Sequence, residues 1–203
     1  MKKNKSRRLT PPDIEVAPLT PNQWKDFVTL FGANGACAGC WCMYERLTSS
    51  EFRHASRERN RRAMKTIVNS GRVPGILAYV EGKPVGWCSV SPREQFHRLQ
   101  NARGIPDSGG KRIWSVVCFF IHTKFTSHGV ARKLLRAAID YALSRGAEII
   151  EAYPVDTRVK SKTNQEAWPG IASMFEGAGF QSVSQRYPTR PTLRLVHEGQ
   201  SCP

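Results

Sequence analysis

Acidic residues are scarce in this chain: 16 Asp and Glu stand against 31 Lys and Arg, for a formal net charge of +15. That balance disfavours a polycationic partner and favours anionic ones: nucleic acid, anionic lipid or a phosphate-rich cofactor. Long apolar runs are missing too, and no segment approaches the length of a membrane span. The basic start, Met1-Lys-Lys-Asn-Lys-Ser-Arg-Arg8, has no apolar stretch behind it. It therefore does not read as a secretory signal, and the cytoplasm is the expected compartment. There is no internal repeat. No second Cys-x-x-Cys or spaced His pair follows Cys37-Ala-Gly-Cys40, so the four ligands of a closed zinc site are not supplied and no metal is expected.

What is present describes one globular unit. At 203 residues and 40% hydrophobic content the chain can bury a full-sized core. Five of the positive charges lie in residues 1–8. The expected organisation is a basic, solvated tail over 1–12, a single domain over 13–197 and a short C-terminal tail over 198–203. The 6 cysteines are expected as reduced thiols. Cys88 and Cys118 lie in apolar, strand-like runs and read as core. For Cys37, Cys40 and Cys42 three readings stay open: a metal site, a redox site, or small polarizable residues packing a loop against the sheet.

The patterning predicts a first strand within 13–19. A helix over about 21–31 follows, with Thr20 before it and Pro21 at its first position. A Gly- and Cys-rich loop runs from 32 to 44. One long basic helix is predicted from Ser49 or Ser50 to about Val68, with Phe52, Ala55, Met64, Ile67 and Val68 inward. Strands over 76–80 and 85–90 flank Glu81-Gly82-Lys83-Pro84 as a hairpin. A polar loop over 94–110 precedes a strand over 116–121 and a helix over about 129–145, closed by Gly146. A strand over 148–153, a polar excursion over 155–167, a short helix over about 170–177 and strands over 180–187 and 192–196 complete the order β-α-α-β-β-β-α-β-α-β-β. This predicts an α/β fold: a mixed central sheet of about seven strands with helices on both faces.

The joint between residues 121 and 131 carries the functional signal. An apolar strand ends in a short polar loop, and Gly129-Val130-Ala131 opens a helix. The first N–H groups of a helix have no intrahelical partner, and its dipole favours an anion there. Small residues at Gly129 and Ala131 admit a phosphate close to the backbone. Arg132, Lys133 and Arg136 add positive charge. Ligands of open α/β sheets also sit where a strand's C-terminal end meets a helix start.

With these elements in place, the chain resembles the GNAT superfamily of acetyl-coenzyme-A-dependent N-acetyltransferases over roughly residues 13–197. The family's Arg/Gln-x-x-Gly-x-Gly/Ala loop is similar to Thr126-Ser127-His128-Gly129-Val130-Ala131, with Thr126 in place of the first basic or amide residue. The helix followed by Gly-Phe is matched by residues 172–180. A bacterial subgroup with a Cys-Trp-Cys-Met run (residues 40–43 here) and a Trp-Cys-x-Val-x-Pro-Arg run (87–93) is also similar. The resemblance implies acetyl-CoA as co-substrate, its pantetheine amides against the backbone of Phe119, Phe120 and Ile121, and its pyrophosphate against Ser127, His128, Gly129, Val130, Ala131 and Arg132. It implies direct attack of an acceptor amine, from a small molecule or a protein, on the thioester, in a monomer or homodimer. It also implies a GNAT-like seven-stranded sheet.

Where some relatives carry a catalytic Glu this chain has Ser115, and where many carry a Tyr acid it has Phe175. The candidates for proton transfer are therefore Glu94, Glu151 and His122, with Tyr153 as a further proton donor and Arg93 and Arg190 as contacts for an acidic group. A competing expectation is a weakly catalytic module that binds nucleic acid through the tail and the helix 51–66 (Arg53, Arg57, Arg59, Arg61, Arg62, Lys65), although Phe52 is the one aromatic there.

Overall fold

The computed structural model describes residues 13–100, 102, 104–159 and 167–197. The tails expected over 1–12 and 198–203, Cys202 and the centre of the excursion expected over 155–167 lie outside the described residues.

Seven strands form one sheet in the order β1-β2-β3-β4-β5-β7-β6. They are β1 (Glu15–Pro18), β2 (Gly75–Val80), β3 (Lys83–Pro92), β4 (Ile113–Ile121), β5 (Ile149–Ala152), β6 (Gln181–Tyr187) and β7 (Arg190–Val196). The β2–β3 hairpin closes through Glu81 and Gly82, at φ 50° and 70°, the left-handed pair that a two-residue turn needs. Pro84 cannot donate to the ladder, and the pairing slips opposite it, between Ala78 and Tyr79.

β4 and β5 are parallel and pair only from Ile113 opposite Ile149 to Val116 opposite Ala152. β4 then runs on to Ile121, while β5 stops before Tyr153 and Pro154. On its other side β4 carries a bulge, where the register with β3 shifts between Ser89 and Val90. The site is built around this parting of strands.

Helix α1 (Trp24–Phe31) follows a helical turn begun by Pro21. The predicted long basic helix is two helices, α2 (Ser49–His54) and α3 (Arg57–Asn69). The break has a local cause: Ala55 is extended at ψ 127°, and the Ser56 hydroxyl accepts the Arg59 N–H at 3.2 Å, capping a new helix. Thr48 and Glu51 form a reciprocal capping box on α2. The expected polar loop over 94–110 contains a further helical turn, α4 (His97–Gln100), held because Phe96 and Leu99 are buried.

Helix α5 (Val130–Ser144) buries Val130, Leu134, Leu135, Ala138, Ile139 and Ala142 against one face of the sheet. Gly146 follows its end at φ 81°, as the pattern predicts. β3 has glycine at 86 because a Cβ there would lie 2.8 Å from Val130 Cγ1. The opposite face is covered by α1, α3 and the loop 32–47, around Phe27, Phe31, Trp41, Met64, Leu77 and Trp87. Helix α6 (Ala172–Glu176) is shorter than predicted and packs Phe175 into the first core. Among the described residues no helix is long and apolar enough to cross a membrane.

Candidate active site

The β4–α5 joint turns sharply into its helix. A helical turn at Thr123–Phe125 turns the chain, Ser127 and Gly129 take φ 66° and 84°, and α5 starts at Val130. A Cβ at Gly129 would meet nothing within 4 Å, so the space in front of the helix start is open. Buried Val130 anchors the first turn, Ala131 is half-buried, and Arg132, Lys133 and Arg136 are exposed. Thr126, which replaces the expected basic or amide residue, donates its hydroxyl to the Thr123 carbonyl at 2.8 Å. His128 is exposed and bonds the Thr126 carbonyl through Nδ1 at 2.7 Å. Both side chains shape the loop. The polar groups left open toward solvent here are backbone N–H groups and the exposed cations.

Along β4 the His122 N–H bonds the Val85 carbonyl of β3 at 2.9 Å. Strand alternation then turns the backbone groups of Phe120 toward β3 and those of Phe119 and Ile121 toward the gap. Phe119 N–H is already engaged: it donates to the Trp168 carbonyl at 2.6 Å. Gly170, at φ 86°, lets this segment lie flat, since a Cβ there would be 2.7 Å from the Phe175 ring and 3.3 Å from Phe119. Trp168 also meets Tyr44 edge-on at 5.2 Å and lies under the Arg190 guanidinium at 5.7 Å. Residues 167–170 thus stand across the edge of β4 that faces the gap.

Where β4 and β5 are still paired, at Ser115 opposite Glu151, lies a buried charged network. Glu151 is fully buried, and its carboxylate takes Arg194 Nε at 2.8 Å, Arg93 at 3.3 Å and the Tyr153 hydroxyl at 2.5 Å. Tyr153 and Ser115 hydroxyls are 3.3 Å apart. Burial first, then the Glu151 charge, push the Tyr153 phenol well above its usual range, so it stays protonated and donates. Arg93 also bonds the Pro106 carbonyl at 2.9 Å and walls a cavity of about 390 Å³ lined by Glu94, Leu99, Asp107 and Lys111 among others.

The structure sorts the proposed proton carriers. Glu94 is exposed at the rim of this cavity. Glu151 is enclosed, with both carboxylate oxygens committed to Arg93, Arg194 and Tyr153. His122 is exposed at the other end of β4, where its Nδ1 accepts the Lys124 N–H at 3.4 Å and its ring packs on Phe125. The three do not converge on one point. Phe175 is buried between Phe119 and Phe180 and has no proton to give.

Sequence reasoning missed Arg194 and Trp168. Arg194 stands directly opposite Glu151 across the β5–β7 pair, a signal readable only once that pairing is known. Trp168 was legible as a lone large aromatic at the end of a polar stretch.

The cysteine loop is irregular. The chain coils through Gly35–Gly39, and Ala36, Ala38, Trp41 and Cys42 all take positive φ. Gly35 is required, because a Cβ there would lie 2.3 Å from Trp41 Nε1. Trp41 stacks on Phe31 at 5.6 Å, and buried Cys42 accepts the Trp87 indole N–H at 2.7 Å. Buried Arg46 bonds Ser91 Oγ at 2.7 Å and Pro74 O at 3.1 Å, and burial lowers it to about 10. On α2 and α3, Arg53, Arg57, Arg59, Arg61, Arg62 and Lys65 are exposed. Three of them serve the fold: Arg57 bonds the Ala33 carbonyl at 3.1 Å, Arg61 lies over Trp41 and Lys65 over Trp24. Phe52 is tucked against Tyr44 and offers no platform for bases.

A mixed seven-stranded sheet, a parting between parallel β4 and β5, and a glycine-opened helix after β4 define an acyltransferase-type α/β fold. Residues 33–167 match the acetyltransferase (GNAT) family model, and the chain belongs to that family of N-acetyltransferases. No curated protein matches its sequence. Among solved structures, a protein of Pyrococcus horikoshii OT3 is 17% identical with a TM-score of 0.52, over 92% of this chain and 99% of that one. The PaiA N-acetyltransferase of Thermoplasma acidophilum, solved with coenzyme A, is 11% identical with a TM-score of 0.51, over 91% and 99%. The YncA protein of Salmonella typhimurium, solved with its cofactor acetyl-CoA, is 12% identical with a TM-score of 0.54, over 94% and 97%. At these identities the likeness is one of fold.

Proposed function

We propose that the protein transfers the acetyl group of acetyl-CoA to an amine by direct attack in a ternary complex, and that it belongs to the bacterial subgroup marked by the Cys-Trp-Cys-Met run. The observation that carries this reading is the run of the unpaired β4 edge into a glycine-opened helix start. The edge of β4 freed beyond Val116 leads into a helix start with open space in front of Gly129. These residues fit the cofactor. The backbone N–H groups over 127–132, with Arg132, would hold the pyrophosphate. Phe119 and Ile121 would pair with the pantetheine amides once the Trp168 carbonyl leaves Phe119 N–H. Bound acetyl-CoA supplies the activated thioester.

The chain's own part is positioning, and that accounts for most of the rate. The acceptor enters from the opposite side, through the cavity walled by Arg93 and Glu94. Arg93 and Arg194 hold Glu151, Glu151 orients Tyr153, and Tyr153 presents a hydroxyl beside Ser115 near the point where β4 and β5 part. In this arrangement Glu151 is a positioning residue. Glu94, with an exposed side chain at the cavity rim, is the base that takes the amine's proton directly or through water. The cavity bears Arg93 and Lys111 as well as Glu94 and Asp107, which suits an amine that also carries an acidic group.

One experiment tests the reading. Purified protein is titrated with acetyl-CoA by calorimetry, then screened against an amine library for release of free coenzyme A thiol. Saturation at a hundredfold excess over Kd should stabilise the native state by about 2.7 kcal/mol. Gly129→Glu should abolish binding by placing a carboxylate in the anion site. Glu94→Gln should lower turnover by about 10²–10⁴ with cofactor binding intact, whereas His122→Asn should leave turnover within a few-fold. Absence of acetyl-CoA binding by the wild-type protein would refute the proposal.

A further inference from the structure

We propose that Cys40, Cys42 and Cys118 form a peroxide-sensitive thiol relay that ends in a disulfide between Cys42 and Cys118. The inference goes beyond acyl transfer and rests on geometry the transferase does not use. Cys42 and Cys118 are 76 positions apart in sequence, yet their sulfurs are 3.6 Å apart. A bond needs them at about 2.05 Å, so a further approach of roughly 1.5 Å suffices. Trp87 Nε1 donates to Cys42 Sγ at 2.7 Å and sets where that sulfur sits.

The segment that must move is already strained. Ala36, Ala38, Trp41 and Cys42 occupy left-handed backbone conformations at φ 61°, 52°, 43° and 55°. Simple packing of small thiols would not require four such residues in one loop. Cys40 gives the relay its entrance: it is only half-buried, whereas Cys42 is buried. Cys40 Sγ lies 3.7 Å from the Gly35 carbonyl, two positions from Cys42, and its neighbour Cys42, opposed by burial, lowers it to about 7. Burial pushes Cys42 well above its usual range, which keeps it a thiol until it is attacked or deprotonated.

The steps balance with hydrogen peroxide as the oxidant. The Cys40 thiolate attacks one peroxide oxygen, the O–O bond breaks, and Cys40 sulfenic acid and hydroxide form. Cys42 sulfur attacks the sulfenic sulfur, the S–O bond breaks, and the thiol proton leaves with the departing hydroxide as water. Cys118, giving its proton to the hydroxide from the first step, attacks Cys42 sulfur and expels the Cys40 thiolate. The net change is two thiols and one peroxide converted to one disulfide and two waters. The product ties the strained loop to β4, one residue before Phe119.

The test uses the reduced full-length protein and does not depend on any acetyltransferase assay. After one equivalent of hydrogen peroxide, remaining thiols are blocked with N-ethylmaleimide and the digest is read by mass spectrometry. The expected result is a cross-linked peptide pair joining Cys42 and Cys118, lighter by two hydrogens than the reduced pair and abolished by dithiothreitol. Cys40→Ser and Cys40→Ala should each slow its formation about tenfold or more, since the buried thiols react poorly with peroxide themselves. In Cys118→Ala, dimedone labelling of Cys40 or a Cys40–Cys42 disulfide should take its place. Recovery of both Cys42 and Cys118 as maleimide adducts in wild type, or undiminished cross-linking in both Cys40 variants, would overturn the relay.

Discussion

The face of the sheet under α5 is covered by one regular helix, and the face under α1 and α3 is completed by an irregular loop. Both are well buried. Leu134, Ala138 and Val116 are fully inaccessible on the first, and Phe27, Met64 and Trp87 on the second. On the α5 face the buried positions recur at helical spacing, and no residue of α5 takes positive φ. On the loop face Trp41, Cys42 and Met43 enter the core from a segment with no regular period, and two of the three take positive φ. Burial of large aromatics offsets a conformational cost of order 1–3 kcal/mol per residue. Packing can thus hold a backbone that local propensity disfavours, and the energy so stored sits beside the thiols.

The largest expected effect tests whether the loop is true core. Trp41→Ala should destabilise the protein by about 3–5 kcal/mol in urea unfolding, comparable to the roughly 2–5 kcal/mol for Leu134→Ala on the regular face. A cost below about 1 kcal/mol for Trp41→Ala alone would make the loop a detachable flap and break the comparison.

A smaller effect separates tight packing from backbone conformation on the regular side. Gly86→Ala should cost about 1–3 kcal/mol by overpacking, because the new Cβ meets Val130 at 2.8 Å. Gly129→Ala meets no atom within 4 Å and should cost about 1–2 kcal/mol for its φ of 84° alone. If Gly86→Ala is as stable as wild type, α5 can slide on β3, and the face is less rigid than its periodicity suggests.

The smallest effect is a pH dependence on the loop side. Cys40 is lowered from 9.0 to about 7 in the folded protein, so its thiolate adds stability in full above pH 9 and loses it as pH falls through about 7. Cys42, raised by burial, acts in the opposite sense above pH 9. Wild type should therefore gain on the order of 1 kcal/mol on Cys40→Ser between pH 6 and pH 9, after allowing for partial solvent screening. Equal pH profiles in urea titrations would show that the Cys42 thiol does not support the Cys40 thiolate.

Much of the first face was readable from the residues. The strand 116–121, Gly129 and the spacing of Val130, Leu134 and Ala138 predict a strand, a tight turn and an inward helix stripe, and each is found. The hairpin at Glu81-Gly82 and the exposed cations of α2 and α3 were readable for the same reason: each depends on neighbours within a few positions. The break at Ser56 was a near miss, since a capping serine inside a helical pattern resembles an ordinary surface residue until its hydroxyl is seen to take the Arg59 N–H.

The amino-acid sequence by itself determined the mixed α/β class and the glycine-opened start of α5, because periodicity, turn chemistry and helix ends are local. The fate of Glu151 was not local. Whether that carboxylate is a free base or the hub of Arg93, Arg194 and Tyr153 depends on β3, β5 and β7 lying side by side. The engagement of Phe119 N–H by the Trp168 carbonyl, 49 positions on, and the contact of Cys42 with Cys118 were likewise decided only in the tertiary structure. Such pairings form when distant segments are packed against one sheet, and burial then dictates which polar groups must satisfy each other.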